Sequence, residues 1–168
     1  HMRRWLAIIS MAVIWPASAA FAEERIVLDT RSGVTQSFLY EKIPNPKATL
    51  IVFEGGDGLI GVHGRMPGFI EKTRTDFAAK GFSVAAIEPP SDRKGDITSK
   101  DFRVSQKHLQ DIESVILWLK KESDAPVWLL GISMGTLSVA SIGARTRESV
   151  AGTVFLSAKT IRTGGPTL

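Results

Sequence analysis

Four continuous apolar runs constrain the fold of this chain more than any other feature of its sequence. They lie at residues 49–53, 82–87, 127–130 and 150–156. Apolar runs this short suit β-strands that are buried on both faces, as in a parallel sheet covered by helices. The sequence therefore predicts at least four strands of that kind.

Helical patterns separate these apolar runs. Residues 67–80 form a helical segment that ends at Gly81, a residue type common just after a helix. Residues 134–145 follow the third run directly, and residues 101–121 carry apolar side chains at helical spacing: Leu109, Ile112, Val115, Ile116 and Leu119. Alternation of strands and helices predicts an α/β fold with a mostly parallel sheet and helices on both faces.

The first 22 residues have the features of a secretory signal peptide. His1 precedes the initiator Met2 and is interpreted as a residue left by an expression vector. A basic start is followed by an apolar run over residues 5–15 and by small residues that suit cleavage before Ala20 or before Glu23. An apolar run of about 11 residues is too short for a bilayer core, which needs about 20. We therefore predict export to a bacterial periplasm or medium, without a stable membrane span.

Residues 23–168 are predicted to form one domain, as their number allows. Residues 25–30 and 34–40 suggest an antiparallel hairpin at its start. No run of Lys and Arg is interleaved with aromatic residues, which argues against a nucleic-acid partner. The sequence contains no cysteine, so the exported domain would be stabilised by its core without disulfides.

A G-x-S-x-G pattern, Gly131-Ile132-Ser133-Met134-Gly135, follows the third apolar run and opens a helical segment. In this context the pattern is typical of the strand–turn–helix that carries the nucleophile of serine hydrolases. Ser133 is therefore the predicted nucleophile, and the N–H of Met134 a predicted donor to a developing oxyanion. The alternative is a glycine-flanked turn with a capping serine.

A glycine-rich segment, EGGDGLIG at residues 54–61, follows the first apolar run. Ligands in α/β sheets bind outside the carboxyl ends of the strands, so this loop and Ser133 should lie at the same edge. The N–H of Gly56 or Asp57 is the predicted second oxyanion donor. The alternative is a phosphate-binding turn, but the segment lacks both the Lys-Ser/Thr ending of a P-loop and G-x-G-x-x-G spacing.

Taken in chain order, the segments TLIVFEGGDG, AAIEPPSDR, DFRVSQKHLQDI and VWLLGISMG resemble the α/β-hydrolase superfamily. They are most similar to exported bacterial members whose substrates are largely unassigned, and the resemblance covers about residues 47–160. It implies a Ser–His–acid triad, acyl-enzyme chemistry on a small ester-type substrate, and no cofactor or metal.

The chain departs from the triad pattern of that family, in which the acid and the histidine follow the nucleophile. After Ser133 it contains one acid, Glu148, and no histidine. Glu148 lies on the amino side of a predicted strand and would face away from Ser133. We therefore expect two further strand–helix units, those that carry the acid and the base, to be missing. The base would then be a histidine outside this sequence, and the chain a fragment or a natural truncation.

Four residues before Ser133 are the remaining candidates for the acid and the base: His63, His108, Asp57 and Asp92. His63 lies in the glycine-rich loop region, and His108 near the start of a helical segment, where a half-buried residue with a hydrogen bond is the alternative. Asp92 follows the second apolar run, but it can equally cap a turn or pair with Arg93. None of them completes a triad on sequence grounds alone.

The incomplete triad leaves two other functions open. A non-catalytic binding protein with this fold would need no base. A Ser–Asp dyad hydrolase of the patatin type is disfavoured, because its glycine-rich loop lies much closer to the serine. The run at 150–156 would also be an apolar edge strand, so we expect a homo-oligomer that pairs such edges if the chain is complete.

Overall fold

The computed structural model describes residues 22–60, 68–93 and 97–158. Residues 1–21, which form nearly all of the predicted signal peptide, lie outside these ranges, and so does His63. The proposals made for them therefore stay predictions. Where the chain is described, no helix is long and apolar enough to cross a membrane.

The described residues form one six-stranded sheet, in the spatial order β1-β2-β4-β3-β5-β6. Strands β2 and β1 pair antiparallel, as do β2 and β4, whereas β4, β3, β5 and β6 run parallel. This confirms a mostly parallel sheet that begins with an antiparallel hairpin. The strands are β1 (Ala22–Arg31), β2 (Val34–Lys42), β3 (Ala48–Phe53), β4 (Phe82–Ile87), β5 (Val127–Ile132) and β6 (Gly152–Leu156).

Helices cover both faces of this sheet, as predicted. Helix α1 (Phe69–Ala79) packs on one face, where Ile70 joins side chains of β3, β4 and β5 in a buried cluster. Helices α3 (Gln106–Glu122) and α4 (Gly135–Arg145) pack on the other face. All six residues of β3 are buried, which explains why its sequence is a continuous apolar run rather than an alternating one.

The single helix expected over residues 101–121 is wrong, because the chain forms two helices there. Helix α2 (Lys100–Arg103) is followed by α3 after a break at Val104 and Ser105. Ser105 has extended backbone angles, and its hydroxyl accepts a hydrogen bond from the N–H of His108 at 3.2 Å. A serine in this geometry is an N-cap, which favours a new helix start over continuation of the old helix.

Strand β6 lies at one end of the sheet in the described part of the chain. It begins at Gly152, two residues later than predicted, and pairs with β5 on its inner side. Its side chains are less buried than those of β3, and Phe155 is 46% exposed. An edge strand of this kind suits the expected oligomer, which stays a prediction.

Candidate active site

Ser133 lies in the turn between β5 and α4, in a left-handed conformation with φ +50°. Its N–H donates to the Leu156 carbonyl at 2.9 Å, and its own carbonyl accepts from the N–H of Thr136 at 3.1 Å. A left-handed conformation costs an L-residue other than glycine about 1–2 kcal/mol. Hydrogen bonds on both sides of Ser133 therefore hold a conformation that the chain would not otherwise favour.

The two glycines that flank Ser133 have a packing reason to be glycine. A Cβ on Gly135 would lie 2.0 Å from the carbonyl oxygen of Phe53, at the end of β3. A Cβ on Gly131 would lie 2.6 Å from the carbonyl oxygen of Gly135. The start of α4 thus touches the backbones of β3 and β5 directly, and only residues without a side chain fit at both positions.

The glycine-rich loop after β3 packs against this turn. An added Cβ on Gly55 would lie 3.2 Å from the Cβ of Ser133. The loop forms a tight turn in which the N–H of Gly58 donates to the Gly55 carbonyl at 3.1 Å and Gly56 has φ +58°. The Asp57 carboxylate accepts from the N–H of Leu59 at 3.1 Å and so stabilises the turn locally.

The two predicted oxyanion elements therefore meet at one edge of the sheet. They do so because β3 and β5 are parallel neighbours, with Phe53 opposite Gly131 in the register. Met134, the N-cap residue of α4, follows Ser133 directly, while Gly56 and Asp57 lie in the loop that touches Ser133. The predicted donors of the two segments therefore belong to elements that lie next to each other beside Ser133.

Arg103, at the end of α2, is a residue of this region that sequence reasoning missed. It is fully buried, and its Nη2 donates to the carbonyls of Glu54 at 3.2 Å and Gly56 at 2.9 Å. Its Nη1 donates to the hydroxyl of Ser138, on α4, at 3.2 Å. The only signal in the sequence is an arginine between Phe102 and Val104, which does not by itself predict burial.

Comparison with known proteins identifies the fold of this chain but not its activity. No protein-family model matches the sequence, and no curated protein matches it either. Solved structures do match, among them the α/β-hydrolase GrgF from Penicillium, with a TM-score of 0.63 at 15% identity over 86% of this chain. The chain has the α/β-hydrolase fold. An esterase from Pyrococcus furiosus matches with a TM-score of 0.58 at 18% identity over 88% of this chain.

Brefeldin A esterase, a bacterial homologue of human hormone-sensitive lipase, is a third match, with a TM-score of 0.54 at 15% identity over 86% of this chain. The chain spans 49% of the Penicillium protein, 54% of the Pyrococcus esterase and 42% of brefeldin A esterase, about half the length of each. Identities this low establish the α/β-hydrolase fold and leave the activity to be argued from the site.

Of the three histidines of this α/β-hydrolase-fold chain, His108 is the one that the structure describes. It is fully buried rather than half-buried, although the expected hydrogen bond is present between its Nε2 and the Ser138 hydroxyl at 3.0 Å. Its Nδ1 has no hydrogen-bond partner. Neither ring nitrogen therefore contacts Ser133, and the structure does not support His108 as its base.

Burial lowers the pKa of His108 to about 3, with a further contribution from the positive charges of Arg103, Arg145 and Arg31. The imidazole is therefore neutral at physiological pH. The aromatic rings of Phe53 and Phe102 pack against it, with ring centroids at 5.8 Å and 5.1 Å. This environment is that of a core histidine bound to a serine.

The neutral His108 gives a first testable prediction, on the pH dependence of stability. Below about pH 6.5 the unfolded chain protonates this histidine, whereas the folded chain does not until about pH 3. We therefore expect the free energy of unfolding to fall as the pH drops from 7 to 4. In His108→Gln, urea unfolding should show a shallower fall over the same range, because glutamine does not titrate. An identical fall in both proteins would contradict a neutral His108.

Asp92 has a partner on the hairpin rather than a catalytic one. Both of its carboxylate oxygens accept from Arg31, at 2.9 Å and 3.0 Å, and these hydrogen bonds lower the pKa of Asp92. Arg31 also donates to the buried carboxylate of Asp111, at 2.8 Å and 2.9 Å. The guanidinium of Arg93, which the sequence offered as an alternative partner, lies 4.6 Å above the ring of Phe102. Asp92 therefore joins an ion-pair cluster between β1 and α3.

The described residues contain no candidate metal site. No group of three or more His, Asp or Glu side chains there is arranged to hold an ion.

Glu54, which follows β3, is buried, and its carboxylate accepts from the N–H of Ile70 at 2.6 Å. It thus stabilises the start of α1, where a negative charge is favoured.

Proposed function

We propose that this chain is a serine hydrolase that acts on small ester-type acyl substrates, with Ser133 as the nucleophile. The observation that carries the proposal is the left-handed Ser133 at a strand–helix junction, in contact with a glycine-rich loop. A sharp turn of this geometry lifts the serine hydroxyl out of the backbone around it, which a nucleophile requires. The names of the matched esterases support ester substrates.

In the proposed reaction, Ser133 Oγ attacks the acyl carbon and the carbonyl oxygen becomes an oxyanion. The N–H of Met134 and the N–H of Gly56 or Asp57 stabilise that charge. Donors of this kind are fixed before the reaction begins, so they stabilise the transition state without reorganisation. The alcohol then leaves with a proton, and water releases the acyl group from Ser133.

The hydroxyl proton of Ser133 needs a base, which in this chemistry is a histidine. Because His108 is bonded to Ser138, His63 stays the candidate base within this sequence. Because the chain is predicted to carry a signal peptide, we propose that it acts on its substrate outside the cytoplasm.

A fluorophosphonate probe tests this function, because it reacts covalently with activated serines. We expect mass spectrometry of the labelled full-length protein to place the adduct on Ser133. Ser141→Ala, which removes a half-buried serine of α4, should be labelled like wild type, and Ser133→Ala should not be labelled. Absence of an adduct on wild type would contradict the proposal. It would favour the non-catalytic binding protein, for which the engagement of His108 by Ser138 is the supporting observation.

A further inference from the structure

The buried guanidinium of Arg103 connects the two segments that would form the oxyanion hole. We propose that Arg103 is a positioning residue: it holds the glycine-rich loop against the start of α4, and so sets the two backbone donors at a fixed separation. This inference rests on the proposed function, because it concerns the same oxyanion.

Three hydrogen bonds fix the peptide groups of the loop. Arg103 Nη2 donates to the carbonyls of Glu54 and Gly56, and the Gly55 carbonyl accepts from the N–H of Gly58. In a planar trans peptide the C=O and the N–H of the same unit point in opposite directions. Holding these three carbonyls therefore also fixes the directions of the three N–H groups that follow them, which include the proposed donors of Gly56 and Asp57.

The other end of the guanidinium holds α4. Arg103 Nη1 donates to the hydroxyl of Ser138, which lies one turn after Met134, the residue that carries the other proposed donor. The guanidinium is rigid and planar, so its two nitrogens hold the loop and the helix at a fixed distance from each other. A shift of about 1 Å in such a site can cost about 10²-fold in rate.

Packing alone does not explain an arginine at this position. Arg103 is 0% exposed, and the removal of a guanidinium from water costs free energy that an apolar side chain of similar volume does not incur. The same volume could be filled by methionine with less desolvation. What methionine cannot supply is a set of donors that reaches two loop carbonyls and a helix hydroxyl at once.

Arg103→Met and Arg103→Lys test this role. In both variants we expect kcat for p-nitrophenyl acetate, and the rate of fluorophosphonate labelling, to fall by about 10–100-fold while KM changes by less than about 3-fold. Lysine should not restore the rate, because one ammonium group cannot bond the loop and Ser138 together. Amide hydrogen exchange at Gly55, Gly56 and Asp57 should become at least about 10-fold faster.

Arg145→Met is the matched control. Arg145 also donates to backbone carbonyls, those of Val104 and Ser141, and it lies on α4, but it is exposed and does not bond the glycine-rich loop. Its replacement should leave labelling and loop exchange unchanged. If Arg103→Met fails to fold, Ser138→Ala, which removes the link from Arg103 to α4 together with the hydrogen bond to His108, should lower kcat in the same direction and leave the two bonds from Arg103 to the loop in place.

The outcomes separate this inference from the proposed function. If wild type is labelled but Arg103→Met reacts within about 2-fold of Arg145→Met, the positioning role is overturned and the hydrolase proposal stands. If wild type is not labelled, the hydrolase proposal fails, and the role of Arg103 at an oxyanion fails with it. Unchanged amide exchange in Arg103→Met would show in either case that Arg103 does not hold the loop.

Discussion

Replacement of Ser133 by alanine is expected to lower the rate of ester hydrolysis by about 10⁴-fold or more, because no other group would form the acyl-enzyme. The free energy of unfolding should stay within about 0.5 kcal/mol of wild type, since alanine and serine both resist a left-handed conformation. Turnover of p-nitrophenyl acetate and urea unfolding measure the two quantities. Equal turnover by wild type and Ser133→Ala would contradict the role of Ser133.

The corresponding glycine variant separates the catalytic role of Ser133 from the strain in its backbone. Glycine adopts φ +50° with little strain, so Ser133→Gly should be about 1 kcal/mol more stable than Ser133→Ala, yet equally inactive. A chain that keeps serine here despite that strain uses its hydroxyl for something other than stability. If the glycine variant is no more stable than the alanine variant, the left-handed conformation at position 133 does not cost the protein free energy.

Local sequence patterns were sufficient to predict the architecture. Apolar runs such as the one that became β3 are buried on both faces, and that burial distinguishes a parallel sheet from a half-exposed one. Gly81 was predicted to follow a helix, and it has φ +95° directly after the last turn of α1. Each of these features is decided by neighbouring residues, so each is visible in the sequence.

Features that depend on contacts between distant segments could not be predicted. Asp111 is fully buried, and it is held by Thr30 and Arg31, about eighty residues away in the chain. Arg103 reaches a loop 47 and 49 residues before it. In both cases the sequence shows a charged residue on a helix, which is usually a solvated surface position. Only the fold reveals that these side chains face carbonyls or countercharges in the core.

The candidate site could be predicted in part, because some of it depends on local sequence and some on contacts between distant segments. The G-x-S-x-G pattern is local, and the neighbouring positions of β3 and β5 bring the glycine-rich loop to it. A base for Ser133 is a long-range partner, and neither the sequence nor the described residues identify one. The structure shows that His108 is hydrogen-bonded to Ser138. Of the two histidines weighed as a base for Ser133 within this sequence, His63 is therefore the one that stays a candidate.

Replacement of Gly135 by alanine is expected to have the largest effect on stability. The added Cβ would lie 2.0 Å from the Phe53 carbonyl oxygen and 3.0 Å from the Glu54 carbonyl oxygen, so backbone, not a flexible side chain, would have to move. We expect the free energy of unfolding to fall by at least about 3 kcal/mol, because the end of β3 and the start of α4 cannot separate without loosening the core between them. Urea unfolding monitored by tryptophan fluorescence measures the change.

Gly143→Ala is the control for that prediction, because it makes the same chemical change in the same helix. Its Cβ would lie 2.7 Å from a side-chain methyl group of Thr153 on the edge strand β6, and not from backbone as at Gly135. Alanine also favours a helix interior over glycine by about 1 kcal/mol, so this variant should stay within about 1 kcal/mol of wild type. A loss as large as that of Gly135→Ala would mean that α4 tolerates no added methyl group at all. The requirement for glycine at position 135 would then not be specific to the close approach of β3.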